Sequence, residues 1–175
     1  MNIIWFAAIL LTLLIFAYGA VRFAPFVPTR KRDLNRILKL AQPKPGLIFF
    51  ELGSGDGRVT DAFAKAGARA TGVELAWPLY IVSLLRSKLS GSGAKFLCRD
   101  LFGMDLSHAQ AVFFFAMPES IEKRLKPKLE RELQPGTLVI SYVFPVAGWE
   151  PRTIDKPSDR DLPIYTYYWH GRGAT

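Results

Sequence analysis

The 175-residue sequence predicts one three-layer α/β domain with a mostly parallel β-sheet, carried on a single N-terminal transmembrane helix. The apolar run at residues 47–50 leads into a glycine-rich turn and then a helix-like segment, an order typical of a βαβ unit. Residues 111–116 form a continuous apolar run of the kind found in strands buried on both faces. Residues 3–21 carry no charge, which predicts the membrane helix.

The N-terminal apolar run is about long enough to cross a bilayer core of roughly 30 Å as a helix. A cleaved signal peptide and a buried core helix are the alternatives. A signal peptide has a basic region first, whereas only Met1 and Asn2 precede this run, and a core helix normally has a polar face. We therefore expect a transmembrane anchor over residues 1–23 that contacts the lipid bilayer through residues 3–21.

The residues that follow this anchor are basic, and they predict its orientation. The single acid Asp33 stands against Arg22, Arg30, Lys31, Arg32, Arg36 and Lys39. By the positive-inside rule, the domain faces the cytoplasm, or the mitochondrial matrix if the source is eukaryotic. Anionic headgroups attract such a cluster, so the net charge of +8 does not by itself indicate a nucleic-acid partner, and none is expected.

The elements of the domain follow one another in a simple order. Residues 24–46 are predicted to be a linker and an N-terminal helix, because two prolines extend the linker and Thr29 then caps a helix through Ala41. Further helices are expected after the glycine turn, over residues 77–89, and from Ser120 onward with a break or kink near Lys126, before Pro127. The predicted strands and closing hairpin are residues 47–51, 71–74, 94–98, 111–116, 137–142, 152–155 and 164–169.

The glycine-rich turn is the predicted ligand site. Gly53, Gly55 and Gly57, with Ser54 between them, allow positive φ and let a ligand approach the main chain, while the next helix points free N–H groups at the same place. A dinucleotide turn has its third glycine one residue later, where this chain has Arg58. The spacing argues against NAD.

Acidic side chains stand at the ends of successive predicted strands, and they indicate the charge of the ligand. In an open parallel sheet these ends converge on one crevice, where the four carboxylates of Glu51, Asp56, Glu74 and Asp100 would repel a pyrophosphate. They suit a cation that carries a ribose and an amine-bearing base. S-adenosylmethionine fits that description, with Asp100 accepting from the adenine amino group.

The motifs resemble a known enzyme class. ELGSGDGR followed by GVEL looks like the first two signatures of the seven-strand, class I S-adenosylmethionine-dependent methyltransferases. Over residues 26–149, the series FVPT, LGSGDGR, GVELAWPL, RDLF, FFFAMPES and ISYVFPVAGW is similar to the membrane-anchored protein lysine methyltransferases. That family includes the enzymes acting on the ATP synthase c-subunit and on the adenine nucleotide translocase.

The resemblance implies a Rossmann-like, S-adenosylmethionine-binding domain over residues 47–170, with a tail at 171–175. It also implies that Glu74 accepts from the ribose diol and that the N-terminal helix closes over the pocket, with Thr29 near the methionine end. For Thr29, a purely structural cap is the alternative. For Glu74, the alternative is a solvated loop acid.

The acceptor is expected to meet the cofactor beyond the apolar run at residues 111–116. Ala116, Met117, Pro118 and Tyr142 are the predicted substrate channel, and Glu119 is the nearest candidate base, although it also suits a helix N-terminus as a stabilising acid. The segment departs from the D/N-P-P-Y/F pattern of methyltransferases acting on amide or base nitrogens. With no His/Cys cluster, no metal is expected.

These expectations converge on N-methylation of a lysine on a protein in or at the membrane. The short soluble part leaves no insertion for a lid, and an open pocket suits an acceptor presented by another macromolecule. A lipid or quinone methyltransferase would share every cofactor residue. A catalytically inactive, membrane-tethered binding protein is the other alternative.

Overall fold

The computed structural model describes residues 26–171 together with Ile3, Trp5, Phe6 and Leu10. The predicted anchor therefore lies outside the described residues except at those four positions, and the predicted tail lies outside them beyond Gly171. Within the described part of the chain, no helix combines the length and apolarity needed to cross a bilayer.

A mixed sheet with mostly parallel strands organises the domain. In the part of the chain that the structure describes, the strands are β1 (Ile48–Leu52), β2 (Arg69–Glu74), β3 (Lys95–Cys98), β4 (Ala111–Phe114), β5 (Leu138–Tyr142), β6 (Thr153–Asp155) and β7 (Ile164–Tyr168). Their order is β3-β2-β1-β4-β5-β7-β6. Strands β1 to β5 pair in parallel, whereas β7 runs antiparallel to both β5 and β6. The mostly parallel sheet and the closing hairpin are confirmed.

Helices cover both faces of this sheet, as a three-layer domain requires. They are α1 (Lys31–Ala41), α2 (Arg58–Lys65), α3 (Trp77–Ser90), α4 (Pro118–Ser120) and α5 (Lys126–Glu132), with a π-helical turn at Ile121–Leu125 and a 3₁₀ turn at Leu101–Gly103. One apolar core packs α1 and α2 on the sheet through Ile37, Val59 and Phe63. The other packs the C-terminal helices through Ile121, Leu125 and Leu129.

The structure has no break at Lys126: the chain stays helical, and a π turn stands where a break or kink is predicted. Pro127 has no N–H and its ring would meet the carbonyl four residues earlier in a regular helix. The wider π turn at Ile121–Leu125 directly precedes α5, and Leu125 and Lys126 both keep right-handed helical backbone angles, so the helix continues past the proline.

The cap predicted for the first helix is wrong by one residue. Arg30 occupies the N-cap position without a side-chain cap hydrogen bond, and α1 begins at Lys31. Thr29 is buried one residue earlier, against the cavity described next.

Candidate functional site

A cavity lies at the carboxyl ends of β1, β2 and β3, where an open parallel sheet places ligand sites. Segment 26–29, which precedes α1, forms one of its walls. The cavity brings together every predicted cofactor-binding residue except Gly57, namely Thr29, Glu51, Gly53, Ser54, Gly55, Asp56, Glu74 and Asp100.

The glycine turn presents its backbone to this cavity. The N–H groups of Gly53 and Ser54 both donate to the Val73 carbonyl at 2.9 Å, which holds the turn against β2. Gly55 has φ +54°, and a Cβ built on it would lie 2.7 Å from the Phe26 ring. Gly57 lies behind the cavity, because its Cβ would meet Phe96 and Ser83. Gly57 therefore allows the turn to pack against Phe96, whereas Gly55 allows the Phe26 ring of the cavity wall to lie close to the turn.

Glu74 links the turn to the end of β2. One carboxylate oxygen accepts from the Gly55 N–H at 2.7 Å, and the other accepts from the Ala76 N–H at 2.8 Å. Burial raises the pKa of Glu74, although these backbone hydrogen bonds oppose the shift. Each oxygen retains a second lone pair, so the carboxylate can also receive two hydroxyl donors.

Glu51 is a buried carboxyl beside the turn. It accepts from the Thr60 N–H at 2.8 Å and from the Thr60 hydroxyl. Burial raises its pKa to about 8. The two hydrogen bonds from Thr60 lower this pKa, whereas the like charges of Asp56 and Glu74 raise it further. The side chain is therefore protonated at neutral pH unless a cation approaches it.

This raised pKa predicts a stability that depends on pH. Between the ordinary pKa of 4.5 and about 8, the folded chain holds a proton on Glu51 that the unfolded chain has released, so the free energy of unfolding falls as pH rises across this window. The upper limit of the loss is roughly 5 kcal/mol at 1.36 kcal/mol per pKa unit. We expect Glu51→Gln to remove most of this decline in denaturant titrations.

The matched control for this titration is Glu119→Gln, which changes a highly exposed carboxylate. Its unfolding free energy should follow that of the unaltered chain across the same window. A Glu51→Gln variant that declined as steeply as the unaltered chain would contradict a raised pKa at Glu51.

Asp56 has a different environment from the one predicted. Its carboxylate receives the Arg58 guanidinium at 2.6 Å and that of Arg86 at 2.8 Å. Burial works to raise the pKa of Asp56, but the hydrogen bonds and charges of the two guanidiniums outweigh it and hold the pKa below its ordinary value. Arg58 also donates to the Thr29 carbonyl at 2.9 Å. The Asp56–Arg58 pair thus links segment 26–29 to the glycine turn. The two guanidiniums already balance the negative charge of Asp56.

Asp100 stands at the β3 end of the cavity. One carboxylate oxygen accepts from the Phe102 N–H at 2.9 Å and begins the 3₁₀ turn, which leaves the other for a ligand donor. The Arg124 guanidinium lies 3.9 Å from the centre of the Phe102 ring, and both residues line the cavity. This end therefore offers a carboxylate next to a flat aromatic surface.

The structure does not support Glu119 as a base. Its side chain is 77% exposed, pairs with Lys123 at 2.8 Å and is absent from the cavity lining. The hydrogen bond from Lys123 holds the pKa of Glu119 below its ordinary value, which weakens it as a proton acceptor. The alternative, a stabilising acid in the first turn of a helix, fits this placement.

The predicted substrate channel also differs from the observed wall. None of Ala116, Met117, Pro118 and Tyr142 lines the cavity. Tyr142 is buried, and its hydroxyl donates to Asp33 at 2.7 Å; burial and that hydrogen bond raise its pKa. Phe113 and Phe115 line the β4 side instead. Within an apolar strand, the sequence pattern does not distinguish a core aromatic from one that faces a cavity.

Three other residues that line the cavity were not predicted from the sequence. Phe26 belongs to the FVPT motif and Arg58 to LGSGDGR, so their place in a motif was a signal that could have found them. Arg124 lies far from these motifs in sequence and gave none. In the described part of the chain, no group of His, Cys, Asp and Glu is arranged to hold a metal ion.

Comparison with known proteins identifies relatives of this chain. Residues 51–153 match the family described as the ANTKMT methyltransferase domain. A protein-lysine N-methyltransferase of Saccharolobus islandicus is 33% identical over 153 residues, which cover 84% of this chain and 94% of the relative. The Rattus norvegicus enzyme that methylates a lysine of the ATP synthase c-subunit is 37% identical over 129 residues, but these cover only 59% of that longer enzyme.

A solved structure resembles both the fold and the sequence. It is described as an RNA methyltransferase from Salinibacter ruber in complex with S-adenosyl-L-homocysteine. It superposes with a TM-score of 0.76 at 33% identity, covering 81% of this chain and 93% of the other.

Proposed function

Because the chain belongs to the ANTKMT methyltransferase family, we propose that it methylates a lysine side chain on a membrane or membrane-associated protein. The predictions of a class I fold, of methyltransferase activity and of S-adenosylmethionine as the cofactor are confirmed by the relatives. Lysine as the acceptor rests on the archaeal protein-lysine N-methyltransferase, since the similarity extends over 94% of that protein.

The cavity residues fit the cofactor that the family uses. Gly53 leaves main chain exposed, and the carboxylates at the ends of three adjacent strands suit a cation, a ribose diol and an adenine amino group. In this assignment Glu51 and Thr29 stand at the methionine end, Glu74 at the ribose and Asp100 at the adenine. When bound, S-adenosylmethionine supplies a methyl carbon already activated by its sulfonium.

The acceptor side of the proposal rests on apolar walls. Phe113 pairs with Glu51 across β4 and β1, so Phe113 and Phe115 stand at the side of the cavity farthest from Asp100. A lysine amine must be neutral to attack a methyl carbon, and desolvation lowers the pKa of an amine. Aromatic walls would therefore favour the reactive form without a carboxylate base, while alignment lowers the barrier to an in-line displacement.

The membrane part of the proposal rests on the sequence. Residues 3–21 are uncharged, and a short linker joins them to segment 26–29 at the cavity. A bilayer anchor would raise the local concentration of membrane acceptors. By the positive-inside rule, the catalytic domain would face the cytoplasm, or the matrix in a mitochondrion.

The deciding experiment follows the methyl group. Membranes from cells lacking this chain are incubated with the purified full chain and methyl-labelled S-adenosylmethionine, and the protein, lipid and RNA fractions are then separated. We expect label in protein, at a lysine identified by mass spectrometry. A Glu74→Ala chain is the matched control for background transfer.

Each of the other outcomes would indicate a different function. Label in the lipid extract would indicate a lipid or quinone methyltransferase. Label in RNA would align this chain with the description of the Salinibacter structure. Absence of label together with failure to bind S-adenosylhomocysteine would indicate a catalytically inactive, membrane-tethered binding protein.

The same assay tests Glu119. Its exposure and its distance from the cavity lining predict that Glu119→Gln keeps methyl transfer within about twofold of the unaltered chain, because exposed substitutions usually change free energies by no more than about 0.5 kcal/mol. Initial rates with the same membranes measure this. A loss of several orders of magnitude would restore Glu119 as a base.

A further inference from the structure

Helix α3 differs from an ordinary surface helix, because all of its Ser and Arg side chains face the protein. Ser83 is fully buried, and the Ser90 hydroxyl donates to Asp61. The Ser87 hydroxyl donates to the Ala94 carbonyl at 2.9 Å, and Arg86 reaches Asp56. These contacts satisfy the inward polar groups and fix the rotation of the helix.

The outward face of α3 is correspondingly apolar. Large side chains are exposed to solvent at Trp77, Ile81, Val82, Leu84, Leu85 and Leu89, with Trp77 51% and Leu89 87% exposed. A surface helix normally directs such residues to the core and its polar residues to water. A contiguous apolar face of this kind marks a surface that another molecule covers.

The charge on this face identifies the class of molecule. Residues 77–90 contain no acid, and Lys88 is exposed among the apolar side chains. An apolar and aromatic helix face that carries a basic side chain and no acid suits the interface of an anionic membrane. A second copy of the chain would bring like charges together, without an acid on α3 to pair with them.

The connection to the predicted anchor places a membrane within reach of this face. Val27 of segment 26–29 lines the same cavity as Leu75 and Ala76, which immediately precede α3. Five residue steps separate Val21, the last residue predicted to contact the bilayer, from Phe26, and they span at most about 18 Å. Since α3 has 14 residues and is about 21 Å long, an anchored chain keeps it near the bilayer surface.

We propose that the outer face of α3 lies in the headgroup region of the membrane, as a second contact beside the anchor. This inference rests on the membrane location within the proposed function. Because Arg86 joins α3 to Asp56 in the glycine turn, seating α3 in the interface also sets the position of the cofactor cavity relative to the bilayer.

A depth measurement on the full chain tests this contact without requiring any acceptor. A Cys98→Ser, Leu85→Cys chain carries an environment-sensitive fluorophore at position 85. The chain is reconstituted in phosphatidylcholine vesicles containing phosphatidylglycerol. Arg131, exposed on α5, provides the matched control site. We expect blue-shifted emission at Leu85 and several-fold stronger quenching by a headgroup-proximal doxyl lipid than at Arg131.

The alternatives give different signals. If the fluorophore at position 85 keeps the emission wavelength that it has in water while the chain is bound to vesicles, the proposed contact is wrong. A blue shift without lipid quenching, accompanied by cross-linking between chains, would show that a second copy covers the face and would also overturn it. Label transfer to lysine is measured separately, so failure of the acceptor assignment is distinguished from failure of this contact.

Discussion

Replacing Glu74 by alanine is expected to lower the affinity for S-adenosylhomocysteine by two to four orders of magnitude. In the assignment above, its carboxylate receives both ribose hydroxyls. Hydrogen bonds to charged groups contribute about 1.5–3 kcal/mol each, so two of them correspond to roughly 3–6 kcal/mol. The substitution also removes the acceptor of the Gly55 N–H, 2.7 Å away. Isothermal titration of the full chain measures the loss.

The control for this prediction is Asp105→Ala, which removes an exposed acid that bonds only locally, to Ser107. An analogue of S-adenosylhomocysteine that lacks the ribose hydroxyls then distinguishes the loss of hydrogen bonds to the ribose from a change in the structure of the glycine turn. The unaltered chain should bind the analogue much more weakly than the natural ligand, whereas Glu74→Ala should not distinguish them. Equal discrimination by both chains would remove Glu74 from the ribose.

Replacing Gly55 by alanine is expected to lower the same affinity by one to two orders of magnitude while the domain stays folded. The residue has φ +54°, where a side chain costs about 1–2 kcal/mol. Its Cβ would lie 2.7 Å from the Phe26 ring, so the ring must move out of the cavity wall or the turn must shift. Binding has to reverse either movement. Titration and thermal unfolding measure the two effects separately.

Gly91→Ala is the matched control, because Gly91 has a similar φ of +64° but a Cβ there would meet no atom within 4 Å. It should lose stability like Gly55→Ala and bind the ligand normally. Unchanged affinity in Gly55→Ala, next to a normal Gly91→Ala, would contradict the placement of the cofactor on this turn.

Much of the site could be predicted because its signals are local in sequence. A strand, a glycine turn and a helix are encoded by consecutive residues. The acids at the strand ends lie together because the carboxyl ends of parallel strands lie at the same edge of the sheet. Glu51, Glu74 and Asp100 therefore line one cavity, as the sequence predicts. The residues that line the cavity are known from the structure, whereas their contacts with the cofactor stay predictions.

The parallel sheet, the glycine turn and the family could be predicted without coordinates, since each depends on periodicity or on short motifs. Which side chains reach the cavity depends instead on how the chain folds. Arg86 neutralises Asp56 from 30 positions away, Asp33 accepts from Tyr142, and Glu119 faces solvent. The apolar residues of α3 were visible in the sequence, but their outward direction was not. Contacts between distant segments set these outcomes, because charge pairing and burial depend on distance in space.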